Sequence, residues 1–483
     1  MNDDDTQRRA LIEGFINMSD METLKEGDDN RIFAKGGSNT NDDFEKGREG
    51  DYALLDEEEE AEDDGKPRAG ELKENTNIFK SAFHVFKANV GTGVFMLPTF
   101  YKDSGYIIAP ILGVLIGFIV LDCTQLLLRT KKLINQKHIT TYSKVVQYVF
   151  GAGMGWFLFA ALVLTQFGFC LMFSQLLSAS MDDMFRFADG KSHYLWVSLV
   201  LIICFPMTIF SDNLSLLGIG SLIATVCVIY ALISCFISSC MKIHSNGGPH
   251  PTCNNHGENI PVGYFNTLAN NMMVLEGIAV VLPVHAACTQ KRLVPHMITI
   301  VLTCIITWYL LFGLTGYLAY GLTLKESLVN AMAEDAWGKS IRWLFIFNVL
   351  LSYPLQFMSA QQLIDAIFKC KPRSLVGLGI RLFINLVIWA LAMSMPASAV
   401  NIVVAFIGAI PSCCMVMIIP GMLTLQIDYA VAHPDESRSS GHYWKMMVTG
   451  NGKFFTFKRL RAIVYIIIAL LIMVIGTYAH RVR

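Results

Sequence analysis

The chain predicts an all-α integral membrane protein of about eleven spanning helices, and three observations carry that prediction. Of its 483 residues, 53% are hydrophobic and 16% are charged, with a mean hydropathy of +0.46; a soluble domain carries roughly a quarter charged residues. Apolar stretches of about 20 residues, enough to cross ~30 Å of hydrocarbon, recur from residue 76 onward. Two of them are interrupted by glycine with proline nearby, one in each half of the chain. Such paired interruptions point to a transporter-like body whose site lies between two repeats.

Residues 1–75 are a separate region, rich in Asp, Glu, Gly, Asn and Lys, with the acidic run Asp56-Glu57-Glu58-Glu59-Glu60. A segment of that composition cannot bury enough apolar surface to offset its ordering entropy, so it reads as a disordered acidic tail. It lacks the basic start and apolar core of a cleaved signal peptide. Residues 76–483 form the transmembrane domain. The formal net charge of −1 averages these two regions and says little about either.

The spans read as 78–101, 106–128, 154–180, 194–211, 216–241, 264–287, 297–320, 341–368, 376–395, 399–427 and 461–479. With the tail in the cytosol, the inner loops hold Arg129, Lys131, Lys132, Lys137, Lys144, Lys291, Arg292, Lys369, Lys371, Arg373, Arg438, Lys445, Lys453, Lys458 and Arg459. The outer loops hold only Lys102, Arg186, Lys191, Lys242, Lys325 and Lys339. Positive residues retained inside set this orientation, with the C-terminus extracytosolic; Arg481 and Arg483 oppose it weakly. The first and sixth spans then cross in opposite senses, as a five-plus-five inverted repeat with one added helix requires.

The first interruption is Asn89-Val90-Gly91-Thr92-Gly93-Val94-Phe95-Met96-Leu97-Pro98. Gly91 and Gly93 permit positive φ, and Pro98 disfavours a helical residue before it. Unwinding here starts a half-helix whose free N–H groups suit a carboxylate. The second interruption is Glu276-Gly277-Ile278-Ala279-Val280-Val281-Leu282-Pro283. Its unwound carbonyls suit an ammonium group. Donors for a carboxylate opposite acceptors for an amine describe an α-amino acid. The substrate-binding residues expected are therefore Gly91, Thr92, Gly93, Glu276, Gly277 and Ile278; two plain kinks without a ligand are the alternative.

Ionisable groups inside a bilayer are functional hypotheses by default. His84 precedes the first break by two turns, and an imidazole suits a reversible proton carrier; a neutral ring bonded to a carbonyl is the other reading. Glu276 lies in the second break, as proton acceptor, hydrogen-bonding latch or structural group. Asp122 belongs either to the same relay or to the cytosolic interface. Lys87 snorkels toward the cytosol, and His285 is either an interfacial residue or a coupling group. Ser352, in Ser352-Tyr353-Pro354-Leu355-Gln356, completes a substrate or cation shell or simply packs; Asn89 is a further accessory oxygen.

Three segments, His84-Val85-Phe86-Lys87-Ala88-Asn89-Val90-Gly91-Thr92-Gly93, Leu275-Glu276-Gly277-Ile278 through Leu282-Pro283, and Ser352-Tyr353-Pro354-Leu355-Gln356-Phe357, resemble the amino acid/auxin permease family, in its proton-assisted and vacuolar amino acid transporter branch. The resemblance covers roughly residues 76–480. It implies an eleven-helix, LeuT-like body, transport of small neutral amino acids with protons, and a coupling role for His84. The chain departs from the pattern at two positions. Some proton-assisted members carry histidine where Asp122 stands and an acidic residue where His285 stands, so the cytosolic gate has different electrostatics here.

The expected function is secondary active transport of small neutral amino acids with a proton as coupling ion, by alternating access, and with no cofactor. The alternatives are an amino acid sensor (a transceptor) signalling through a cytosolic partner of its tail, and a sodium-coupled symporter using Asn89, Thr92 and Ser352 oxygens. No metal spacing or paired carboxylates suggest an enzyme, and nothing suggests a nucleic-acid partner. Tyr52-Ala53-Leu54-Leu55 has the form of a tyrosine sorting signal. It favours a lysosomal or vacuolar membrane slightly over the plasma membrane. The cysteines read as packing residues, except that Cys240 and Cys253 flank an outer loop where a disulfide is one option.

Overall fold

Glycine, proline and capping residues divide the apolar segments into the helices seen in the computed structural model. It describes residues 76–136, 139–185, 192–210, 214–257, 260–368, 374–396, 400–449 and 456–479. The tail 1–75 with Tyr52–Leu55, and Lys137, Arg186, Lys191, Lys369, Lys371, Arg373, Lys453, Arg481 and Arg483, lie outside these residues.

The first span is α1 (Ile78–Asn89), a 3-10 turn Thr92–Met96, and the start of α2 (Leu97–Ile134). Asn77 caps α1 by accepting the Ile78 N–H, and Pro98 sits in the first turn of α2, where its missing donor costs nothing. A straight helix of 38 residues would be about 57 Å long, far more than one crossing needs. Gly105 (φ 73, ψ 170) breaks it, separating the first predicted span from the second. A side chain at Gly105 would run into the Asn255 and His256 backbone, so both conformation and space demand glycine.

The chain continues through α3 (Tyr142–Phe150), α4 (Ala152–Phe185), α5 (Ser192–Phe210) and α6 (Leu214–Ser245). Pro206 is accommodated inside α5, so the shortest predicted span is a continuous helix. The sixth span is α7 (Val262–Val274), a 3-10 turn Ile278–Val280, and α8 (Val281–Ala287). Then follow α9 (Val294–Tyr320), α10 (Ala336–Phe368), α11 (Leu375–Ser394), α12 (Val400–Ile407), α13 (Ile419–Ala432), α14 (Gly441–Thr449) and α15 (Phe457–Ala479). Between α12 and α13 the backbone widens into π turns at Gly408–Ser412 and Cys414–Ile418.

Ten helical stretches among the described residues are long and apolar enough to cross a membrane. The stretch Thr92–Ile134 counts as one of them and contains the Gly105 break; the half-helix α1 stands before it. The sequence reading of about eleven crossings is that set with this stretch divided. Lipid-facing surfaces show as apolar stripes at helical spacing: Ile111, Val114, Leu115 and Phe118 on α2, and Leu460, Val464, Ile467, Leu471 and Val474 on α15 are all exposed. Between such stripes, α2, α7, α9 and the α12–α13 span form the packed centre.

Two short helices were not anticipated. α3 and α14 meet at one end of the body, where the Tyr443 hydroxyl donates to the Val149 carbonyl at 2.5 Å. Tyr142, on α3, donates to the Met415 carbonyl in the second π turn at 2.7 Å. The optional disulfide is absent: Cys240 is exposed and free, while the Cys253 thiol lies 3.4 Å from the Tyr317 carbonyl.

Candidate functional site

At the first break, Val90 is extended (φ −95, ψ 99) and its N–H still reaches the Phe86 carbonyl at 2.8 Å. Gly91 follows in extended conformation (φ −130, ψ −168), ahead of the Thr92–Met96 turn. Neither Gly91 nor Gly93 adopts positive φ. Their value is the missing side chain: nothing lies within 4 Å of the place a Cβ would occupy on Gly91. The N–H groups of Gly91, Thr92 and Gly93 open a new helical turn and so have no acceptor within it.

The second break follows Val274. The Leu275 N–H closes α7 on the Asn271 carbonyl at 3.2 Å, and Glu276-Gly277 is unwound before Ile278–Val280. The carbonyls of Met272, Met273 and Val274 are the last of α7 and lack a helical donor.

Tertiary packing brings the two breaks together, antiparallel. At one end the Thr76 N–H and hydroxyl donate to the Ala287 carbonyl at 3.2 and 2.7 Å, and the Thr289 N–H donates to the Thr76 carbonyl at 3.2 Å. Beyond the breaks, Ser104 meets Thr267 hydroxyl to hydroxyl at 2.5 Å. At mid-length the Asn89 carboxamide lies against Gly277, where an added Cβ would collide with it. The Tyr309 hydroxyl of α9 donates to the Asn89 carbonyl at 2.6 Å, satisfying one end of α1. Asn89 Oδ1 and Thr92 Oγ1 are buried here without a hydrogen-bond partner in the protein. Buried polar atoms are nearly always satisfied, and these two lie beside N–H groups that have no acceptor in their own helix.

Glu276 faces away from α1. Its carboxylate accepts a hydrogen bond from the Ser412 hydroxyl of the first π turn, and Thr165 of α4, whose hydroxyl donates to the Ala161 carbonyl at 2.8 Å, lies beside it. Gly408, one turn before Ser412, packs against the Ala269 carbonyl with no room for a Cβ, which lets the π segment approach α7 closely.

Exposure differs sharply on the two sides of the breaks. Val94 through Tyr101 are all buried, as are Asn266 through Asn270. On the α1 side, Phe79, Phe83, His84, Ala88 and Gly91 are exposed. The chain is therefore buried on the Gly105 side of the breaks and partly exposed on the α1 side.

The remaining expected residues sit as follows. His84 is on the exposed face of α1 between Lys80 and Lys87, outside the polar cluster at the breaks. Ile278 is buried at the start of its 3-10 turn. Asp122 is not brought to the breaks: Arg461 donates to its Oδ1 at 3.2 Å and Tyr465 to its Oδ2 at 2.8 Å, tying α2 to α15. Ser352 approaches Asn348 of its own helix at 3.4 Å, while the Tyr353 hydroxyl donates to Asn385 of α11 at 2.9 Å. His285 is half-buried near Lys131, Lys132 and Lys291, as an interfacial residue would be. Sequence reasoning missed Ser412, Thr165 and Tyr309. The Gly408-Ala409-Ile410-Pro411-Ser412 run was the available signal for the first of these, since it puts glycine and proline inside a third apolar span.

Comparison with known proteins adds an independent line. The family model described as transmembrane amino acid transporter protein matches residues 74–481. Similar proteins include vacuolar amino acid transporter 3 of Schizosaccharomyces pombe, 22% identical over 301 residues, covering 60% of this chain and 43% of the relative. Amino acid transporter AVT3A of Arabidopsis thaliana is 23% identical, covering 59% of this chain and 68% of the relative. Vacuolar amino acid transporter 4 of Saccharomyces cerevisiae is 23% identical, covering 61% and 41%. The chain thus spans less than half the length of each of these two yeast relatives.

Proposed function

This chain belongs to the transmembrane amino acid transporter family, and from that premise we propose that it carries small neutral amino acids with protons by alternating access. The family and its relatives are transporters, not enzymes. One observation carries the finer reading: the antiparallel breaks hold N–H groups at Gly91–Gly93 without a helical acceptor, terminal carbonyls at Met272–Val274, and two unsatisfied side-chain oxygens between them. A zwitterion places its carboxylate on the first set and its ammonium on the second. The open space beside Gly91 admits a small side chain.

Accessibility toward α1 with closure at the Gly105 end corresponds to one of the two states an alternating-access cycle needs. With the positive residues of the inner loops in the cytosol, that state opens to the cytosol. Protonation of Glu276 releases its hold on Ser412 and makes the loaded carrier easier to reorient. His84, on the exposed side, meets protons from the open vestibule. The vacuolar relatives favour a vacuolar or lysosomal membrane.

The test is uptake of a panel of labelled amino acids into proteoliposomes at two pH values. Acid-stimulated uptake of small neutral substrates, lost in Thr92→Val and in His84→Ala, is the expected result; undiminished acid-stimulated uptake in His84→Ala removes the histidine from coupling.

A second reading, a sodium-coupled symporter, draws on Asn89 Oδ1 and Thr92 Oγ1, hard oxygens suited to a small cation. Uptake unchanged when choline replaces sodium eliminates it.

A further inference from the structure

Where α2, α13 and α15 end together, a cleft of about 410 Å³, its open mouth included, is lined by Arg129 and Thr130 of α2, Thr424 and Asp428 of α13, and Lys458 of α15, over an apolar floor including Leu126. Four cations gather here, and their counter-charges can be assigned one by one. Arg461 is paired with Asp122 at 3.2 Å. Arg459 donates to the Leu425 and Met447 carbonyls at 3.0 and 2.6 Å, with Asp428 near enough to act on it electrostatically. Arg129 and Lys458 are exposed, and no hydrogen bond or ion pair ties either to a described residue. The cleft lining therefore holds two unpaired cations against the single carboxylate of Asp428, and its threonine hydroxyls, Thr130 and Thr424, donate to the Leu126 and Pro420 carbonyls of their own helices.

Its position identifies the occupant. Arg129 directly follows the apolar run of α2, and Lys458 directly precedes that of α15, so the cleft lies at the boundary between hydrocarbon and headgroups. Below it, α15 turns Leu460, Val464 and Ile467 outward. A ligand fitting both features has an anionic head and acyl chains. We propose that this cleft binds the phosphate headgroup of an anionic phospholipid, whose chains lie along the exposed α15 stripe and which joins α2 to α15 beside the Asp122–Arg461 pair. Basic pockets between spanning helices at the membrane surface are suited to such headgroups.

The experiment is native mass spectrometry and fluorescence titration of the full chain in detergent with phosphatidic acid, phosphatidylcholine and inorganic phosphate. The variants are Arg129→Gln, Lys458→Gln and their double; Lys242→Gln, at the opposite end of the body, is the control. Phosphatidic acid is expected to bind in preference to phosphatidylcholine. Each cleft substitution should weaken it about fivefold, and the double variant more than tenfold, with the control unchanged. Equal retention of the two lipids, or unchanged affinity in the double variant, overturns the proposal. Displacement of the lipid by inorganic phosphate at equal concentration also overturns it, by showing a free-anion site. Both side chains are exposed, so a thermal melt of each variant matching the wild type shows that folding is intact. Should the double variant fail to fold, Lys458→Gln alone decides. None of these readouts depends on transport.

Discussion

The Ser412 hydroxyl donates a hydrogen bond to the Glu276 carboxylate, joining the first π turn of one span to the unwound turn of another. The bond spans 136 residues of sequence and sets a titratable group beside the site without turning it toward α1. A carboxylate held by a hydroxyl is a latch that a proton can weaken.

Glu276→Gln keeps an acceptor for Ser412 but removes the titration. Uptake should persist and lose its dependence on the pH gradient, read in proteoliposomes with and without an imposed gradient. Ser412→Ala should destabilise the protein by about 1–3 kcal/mol, the cost of leaving a buried polar group without its partner, read as a lowered melting temperature in detergent.

Gly277→Ala should cost about 1–3 kcal/mol, because its Cβ enters the space of the Asn89 carboxamide. Asn89→Ala combined with it should recover part of that loss. A double-mutant cycle on melting temperatures checks the pair, and strict additivity would separate the two residues.

The buried pair Arg381–Asp365, 3.2 Å apart, joins α11 to α10, and Arg381 also donates to the Thr208 carbonyl of α5 at 3.3 Å. Breaking it with Asp365→Leu alone should cost about 3–5 kcal/mol, since the guanidinium keeps its charge in a low-dielectric site. Replacing both, with Arg381→Met added, should cost less than the single change. Expression level and thermal melts read the order.

Cys253 lies in the loop before α7, where burial raises its thiol above the ordinary cysteine range. The thiolate is the reactive form, so alkylation should be slow at neutral pH and speed up only as the pH rises well above that range. Cys240, exposed and free, should label first. Mass spectrometry after timed alkylation distinguishes the two; a link between them that a reductant cleaves would contradict the free thiols.

Local chemistry explains what was readable in the chain. Gly91, Gly277 and the nearby prolines announce broken helices because they act through their own backbones, and the gap between the first two predicted spans contains Gly105. The contacts that shape the site are tertiary and left no local mark. Asp122 could be read as a relay residue or as an interfacial one because Arg461 and Tyr465, its actual neighbours, lie more than 330 residues away. The π turns arise where Gly408 presses against Ala269, which no helical period reports. α3 and α14 were hidden in basic loops because each has only 9 residues, and each depends on a tyrosine hydroxyl reaching another element.

Thr76 is bonded to Ala287 and Thr289 before α1 has begun. Tension on the preceding chain is thus shared between two half-helices from the first ångström. A tether at that threonine would act as a single handle on both arms, and pulling there would tilt them together rather than drawing one away from the other.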